Sequence, residues 1–249
     1  MTALILALIA GAVVGLMLGA LGGGGSVLAV PALIYLLGFT PASATTASLI
    51  IVTATSLTAL YAHARAGRVR WKAGAAFAAA GILPAAVAGA ASAHLPQAVL
   101  TLAFAAIAAL SAIKMLRPAY TARPKDGGVR PGKAAGAGAA LGTLTGLLGV
   151  GGGFLAVPAL VTVLAFEMDA AVGTSLLIIT ANSLASLATR SGTAASVDWA
   201  LIGPFVGTAI LGAWDGKRIA VKVSAPHLQR IFAVVLLAVA AFMLADAVT

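Results

Sequence analysis

GALGGGGSVLAVPAL, Gly19 to Leu33, returns as GLLGVGGGFLAVPAL, Gly146 to Leu160, and this recurrence decides the fold. A shift of 127 residues aligns Gly15 to Leu60 with Gly142 to Leu187 without a gap, and 23 of 46 positions are identical. Each copy runs from a glycine cluster through a short apolar stretch with one proline into a helix-length stretch carrying a few hydroxyl side chains. The chain is therefore an internal duplication, and in membrane proteins such repeats frame a shared site.

Composition places the chain in a bilayer. It is 61% hydrophobic and 8% charged, and Met1 to His63 contains no Asp, Glu, Lys or Arg. A soluble domain cannot cover its surface with so few charges. Uncharged apolar segments run over residues 2–21, 43–64, 73–93, 97–113, 171–189, 199–214 and 231–245. A crossing helix needs about 20 such residues, so an all-α polytopic membrane protein with about eight transmembrane helices is expected. The first segment lacks the basic leading region of a signal peptide and is read as retained. The absence of cysteine removes disulfides and thiolate chemistry. The net charge of +9 sits in segments beside apolar spans without interleaved aromatics. That pattern suits anionic lipid headgroups and not nucleic acid.

Val27 to Phe39 and Phe154 to Phe166 are too short to cross the bilayer. They read as half-helices broken from the preceding span by glycine. If each glycine cluster turns the chain back, the two repeats are inverted and 14 of 15 Lys and Arg residues face one side, Arg190 alone facing the other. The positive-inside rule favours this arrangement, with both termini outside. The expected division is a first repeat over 1–117, a basic cytoplasmic linker over 118–133 and a second repeat over 134–249. Trp71 and Trp199, offset by 128, stand where spans begin and read as interfacial anchors.

Candidate binding residues follow from the same motifs. Gly22, Gly24 and Gly25, with Gly149, Gly151, Gly152 and Gly153, let the backbone turn and let a ligand approach it. Ser26 opens the first half-helix, whose free N–H groups and positive dipole end suit an anion. Gly15 with Gly19 and Gly212 with Gly216 have the GxxxG spacing of close helix packing. No Lys-Ser or Lys-Thr follows either cluster, so there is no phosphate-binding P-loop and no ATP-driven motor. On the next span, Ser48, Thr55 and Ser56 share one helical face with residue 52, and Ser175, Asn182 and Ser183 are their counterparts. These side chains can line a cavity or bond their own backbone. His63 and Arg190 occupy corresponding places, suited to gating or proton coupling or to reaching interfacial water. Asp215 can pair with Lys217 or Arg218. No carboxylate pair, histidine cluster or activated nucleophile stands at useful spacing, so neither an enzyme nor a metal or cofactor site is expected.

The paired GxxGxGGGxLxVPxL-like motifs, the basic central stretch and the H-x3-G-x3-W pattern of His63, Gly67 and Trp71 resemble the sulfite exporter TauE/SafE family of permeases. The resemblance covers nearly the whole chain. It implies a bacterial inner-membrane, multi-pass transporter of small anions, commonly sulfur oxyanions or sulfonates and sometimes carboxylates, working without ATP hydrolysis. Coupling to an ion, a proton or sodium, is compatible with this reading. In the second half, SGTAASVDW after Arg190 lacks a glycine equivalent to Gly67. The residues by themselves also allow a permease for another solute or a non-transporting membrane scaffold. The inverted reading carries a direct expectation: in this cysteine-free chain, a single cysteine near Phe39 labels from outside and one near Phe166 from the cytoplasm. Labelling of both from one side would overturn it.

Overall fold

The computed structural model describes residues 2–21, 24–92, 95–116, 131–148, 153–164, 166–189, 198–220 and 225–248, and these are helical apart from short connections. In the first half they form α1 (Thr2–Leu21), α2 (Gly24–Pro31), α3 (Pro41–Arg65), α4 (Trp71–Ala91) and α5 (Gln97–Leu116). The second half repeats this order as α6 (Pro131–Leu148), α7 (Gly153–Leu164), α8 (Met168–Ala188), α9 (Trp199–Ala220) and α10 (Ala225–Val248). Among the described residues, four helices, Thr2–Leu21, Ala42–Arg65, Trp71–Ala91 and Asp169–Ala188, are long and apolar enough to cross a membrane.

Two elements differ from the sequence expectation. α6 begins at Pro131, inside the stretch read as linker, and its whole length was missed as an apolar segment. Its glycines, alanines and threonines are only mildly hydrophobic, and proline suits the first turn of a helix because its missing N–H is unneeded there. The first half-helix is not one regular α-helix: α2 ends at Pro31, and the chain continues as a wider π turn over Ala32–Leu36.

The expected half-helices are present, and they close alike. The Phe39 N–H donates to Leu33 O at 3.0 Å, and its counterpart Phe166 N–H donates to Leu160 O at 3.2 Å. Thr40 then caps α3, accepting from the Ser43 N–H at 3.4 Å. Gly25 shows that the chain has reversed after α1. A Cβ there would collide with the Val14 carbonyl and the Leu18 side chain, well back along α1 from its end at Leu21.

The halves interlock. α1 packs along α9 of the second half, and α6 packs along α4 of the first. α3 meets α8 and α9, while α8 meets α3 and α4; α5 pairs with α10. Exchanging the halves turns α1–α9 into α6–α4 and α3–α9 into α8–α4, and leaves α3–α8 and α5–α10 as they are. The two long seams are made of small residues. Gly11, Gly15 and Gly19 lie against the backbones of Phe205, Ala209 and Ala213, and Gly138, Gly142 and Gly146 lie likewise against Phe77, Gly81 and Ala85. Both pairs therefore run parallel. Gly212 and Gly216 return the contact onto α1, as their spacing predicted.

The equivalent helices α3 and α8 cross in opposite directions. Arg68, just beyond α3, pairs with Asp169 at the start of α8 at 3.8 Å, and Ser56 meets Thr180 one helix-half further in. The turn between α3 and α4 is fixed by Gly67, whose φ of 70° is the left-handed conformation that ends a helix. Its N–H bonds Ala64 O at 3.0 Å and the Arg68 N–H bonds His63 O at 3.2 Å. Trp71 and Trp199 do begin α4 and α9, and both are exposed.

The seams make a testable distinction between glycines on one helix. Gly142→Ala sets a methyl against the Gly81 backbone and should cost about 1–3 kcal/mol by overpacking. Gly136→Ala meets open space and should be neutral or stabilising. Thermal unfolding of the two variants in detergent, beside the parent, checks the difference; equal midpoints would mean that the seam tolerates separation.

Candidate functional site

The buried polar residues concentrate on α3 and α8. Ser48, Thr55, Ser56, Ser175, Asn182 and Ser183 are all at most 1% exposed. Their burial on one face agrees with the spacing read from sequence. How they use their hydrogen-bonding groups divides them.

Thr55 donates to Ile51 O at 2.6 Å, and Ser175 to Val172 O at 2.7 Å. These two hydroxyls satisfy their own helix, as Ser and Thr in apolar helices commonly do, while their oxygen lone pairs remain. Ser56 and Thr180 share a hydrogen bond of 2.8 Å across the α3–α8 crossing. By contrast, Ser48 Oγ, Thr53 Oγ1, Asn182 Oδ1 and Ser183 Oγ are buried without a hydrogen-bonding partner in the protein. Each such orphan costs about 1–3 kcal/mol unless a ligand or water supplies the missing bond.

The crossing is asymmetric in an informative way. Thr53 corresponds to Thr180 and Ser56 to Ser183 in the repeat. The Ser56–Thr180 bond therefore has a symmetric counterpart, Ser183–Thr53, and that counterpart is open. Identical side chains stand in two states within one structure.

The half-helices approach this region. α2 packs on α3, α7 packs on α8, and α2 touches α7. Gly24 and Gly153 are the first residues of α2 and α7, and Ser26 is fully buried in the first turn of α2. Gly25 serves packing against α1, as described above. Gly22, Gly149, Gly151, Gly152 and Arg190 lie outside the described residues.

His63 is 2% exposed, so its side chain lies inside the protein and does not reach for interfacial water. Among the described residues it is the single ionisable group in the buried polar set; no Lys, Arg, Asp or Glu joins it. Arg68 and Asp169 are at the end of the bundle, and Asp215 pairs with Arg218 at 3.3 Å on an exposed surface. No group of three or more potential metal ligands occurs among the described residues. The arrangement offers neutral hydroxyls, an amide and helix termini, groups chemically able to bind a solute by hydrogen bonds and dipoles.

Sequence reasoning missed Gly81 and gave Thr174 no partner. Gly81 of α4 makes room for Asn182: a Cβ there would stand 2.9 Å from both amide heavy atoms. Thr174 accepts a hydrogen bond from the Arg70 N–H at 3.0 Å and ties α8 to the start of α4. A glycine in an apolar span gives no local sign of its neighbour. Its one available signal was the second-half counterpart, Ala209, which becomes recognisable through the paired seams.

Comparison with known proteins agrees with this architecture. The chain is 34% identical over 248 residues to a probable membrane transporter protein of Xylella fastidiosa strain 9a5c, covering 97% of this chain and 95% of that one. A probable membrane transporter protein of strain Temecula1 is 32% identical over 249 residues, with the same coverage. No solved structure matches. The model of the sulfite exporter TauE/SafE family matches residues 7–243, and the chain belongs to that family of membrane transporters.

Proposed function

We propose that the protein is a permease for small anions, sulfur oxyanions or sulfonates such as sulfite, moving them across the bacterial inner membrane without ATP hydrolysis. The observation that carries the reading is the set of orphaned polar atoms on Ser48, Thr53, Asn182 and Ser183 within a largely apolar bundle. Of these, the hydroxyls of Ser48, Thr53 and Ser183 are neutral donors that can hold an anion at membrane depth without the cost of burying a compensating Lys or Arg. The family supplies the sulfur chemistry, and the α2 and α7 helix starts add a modest positive potential.

In this reading the halves insert in opposite senses with about eight crossings. The antiparallel crossing of α3 and α8 supports inversion, since these helices are equivalent in the repeat. It puts the Arg65 to Lys72 stretch and the basic residues of α9 and α10 on one side. The open Thr53–Ser183 pair and the closed Ser56–Thr180 pair fit one of two alternating states, in which rocking of one half against the other exchanges them. His63, buried near the end of α3, is the residue best placed to carry a coupling proton.

Purified protein in liposomes should give saturable sulfite flux without ATP, competed by other small anions and not by small cations. Ser26→Asp puts a carboxylate at the start of α2 and should abolish that flux at matched protein level. Normal flux through this variant would remove α2 from the substrate path.

The alternating exchange has its own check, helped by the cysteine-free background. Ser56→Cys with Thr180→Cys, and separately Thr53→Cys with Ser183→Cys, should both form disulfides, each arresting flux until reduced. Failure of the second pair to cross-link in transport-competent protein would mean that the open pair never closes.

A further inference from the structure

The repeat differs at one polar position with a compensating change beside it. Asn182 on α8 stands where α3 has Thr55, and Gly81 on α4 stands where α9 has Ala209. Packing fixes the second equivalence, because Gly142 lies on Gly81 as its counterpart Gly15 lies on Ala209. A Cβ at Gly81 would lie 2.9 Å from Nδ2 and Oδ1 of Asn182 and 2.8 Å from the Gly138 carbonyl oxygen. The helix facing α8 therefore lacks a methyl where α8 carries a primary amide, while α9, which faces α3, keeps the methyl where α3 carries a hydroxyl.

That amide is not spent on the protein. Thr55 donates to its own helix, whereas Asn182 is 1% exposed and its Oδ1 has no donor. Ser183 next to it and Ser48 on α3 also carry buried oxygens without partners. Hydroxyl groups can turn to donate to an anion, but an amide oxygen only accepts. Its missing partner must bring a hydrogen. The surroundings also limit charge. The cost of taking an ion out of water rises steeply with its charge, and among the described residues the buried polar set contains no Lys or Arg to offset a second negative charge.

Resting on the permease reading above, we propose that Asn182 detects a hydrogen-bond donor on the substrate. The site thereby selects a singly charged oxyanion carrying its own O–H or N–H over a donor-free monoanion and over a dianion. Oδ1 accepts the substrate hydrogen while Nδ2 donates to an anionic oxygen. A donor-free anion leaves Oδ1 facing another oxygen. The donor can be the O–H of a hydrogen-oxyanion or a hydroxyl elsewhere on a sulfonate.

The test measures initial uptake into liposomes for 2-hydroxyethanesulfonate and ethanesulfonate, which differ by one hydroxyl oxygen. Sulfite across its second ionisation and sulfate form the other arms. A missing partner for a buried acceptor predicts a preference of roughly tenfold for the donor-bearing ion. A preference within the sulfonate pair assigns the donor to a distal hydroxyl; sulfite uptake that falls with the protonated fraction assigns it to the oxyanion itself. Sulfate should be slower than ethanesulfonate. In Asn182→Leu the preference should fall to near unity. The double variant Gly81→Ala with Asn182→Thr copies Ala209 and Thr55, so it retains a packing the fold already uses, and it should lose the preference too. No preference in either arm, a preference retained in both variants, or sulfate moving as fast as ethanesulfonate would overturn this inference and leave the permease intact. No flux of any of these anions would overturn the permease reading itself.

Discussion

Backbone contact along the α1–α9 and α4–α6 seams is the constraint on which the rest of the structure depends. In a bilayer, apolar side chains gain little by leaving lipid for protein, so helices associate through close packing and weak backbone interactions. Glycine at every fourth position provides the close approach. Because each seam joins a helix of one half to a helix of the other, neither repeat is a separate packing unit. The duplication in sequence becomes an interlocked pair in space.

Interlocking brings α3 and α8 into contact at the centre. Their hydroxyls could have been wholly absorbed by helix carbonyls, and Thr55, Thr58 and Ser175 are bonded that way. The orphaned oxygens of Ser48, Thr53, Asn182 and Ser183 depart from this pattern at the crossing helices. A cost carried by several residues on two related helices agrees better with a solute site than with a stabilising core.

Departures from symmetry carry the functional information. The halves share their half-helix ends, their seams and their tryptophans. They differ where Ser56–Thr180 is closed and Thr53–Ser183 open, and where Asn182 and Gly81 replace Thr55 and Ala209. The first difference involves identical residue types and so concerns conformation. The second involves different residues and is the basis of the recognition proposed for Asn182.

The sequence by itself determined the membrane class, the duplication, the half-helices after the glycine clusters and the shared face of Ser48, Thr55 and Ser56. These follow from charge scarcity, repetition and helical spacing, all of which are local along the chain. It read Gly15, Gly19, Gly212 and Gly216 as packing residues but not what they pack against. It also left His63 between the interior and the interface, and it passed over α6 because Gly- and Ala-rich helices carry weak hydropathy. Only the tertiary structure decided that His63 is buried, that Asn182 fills the space beside Gly81 and that one of two equivalent hydroxyl pairs is closed. The physical reason is that an apolar residue has the same signature whether it faces lipid or another helix. The identity of its partner is set by how two distant seams bring the halves together.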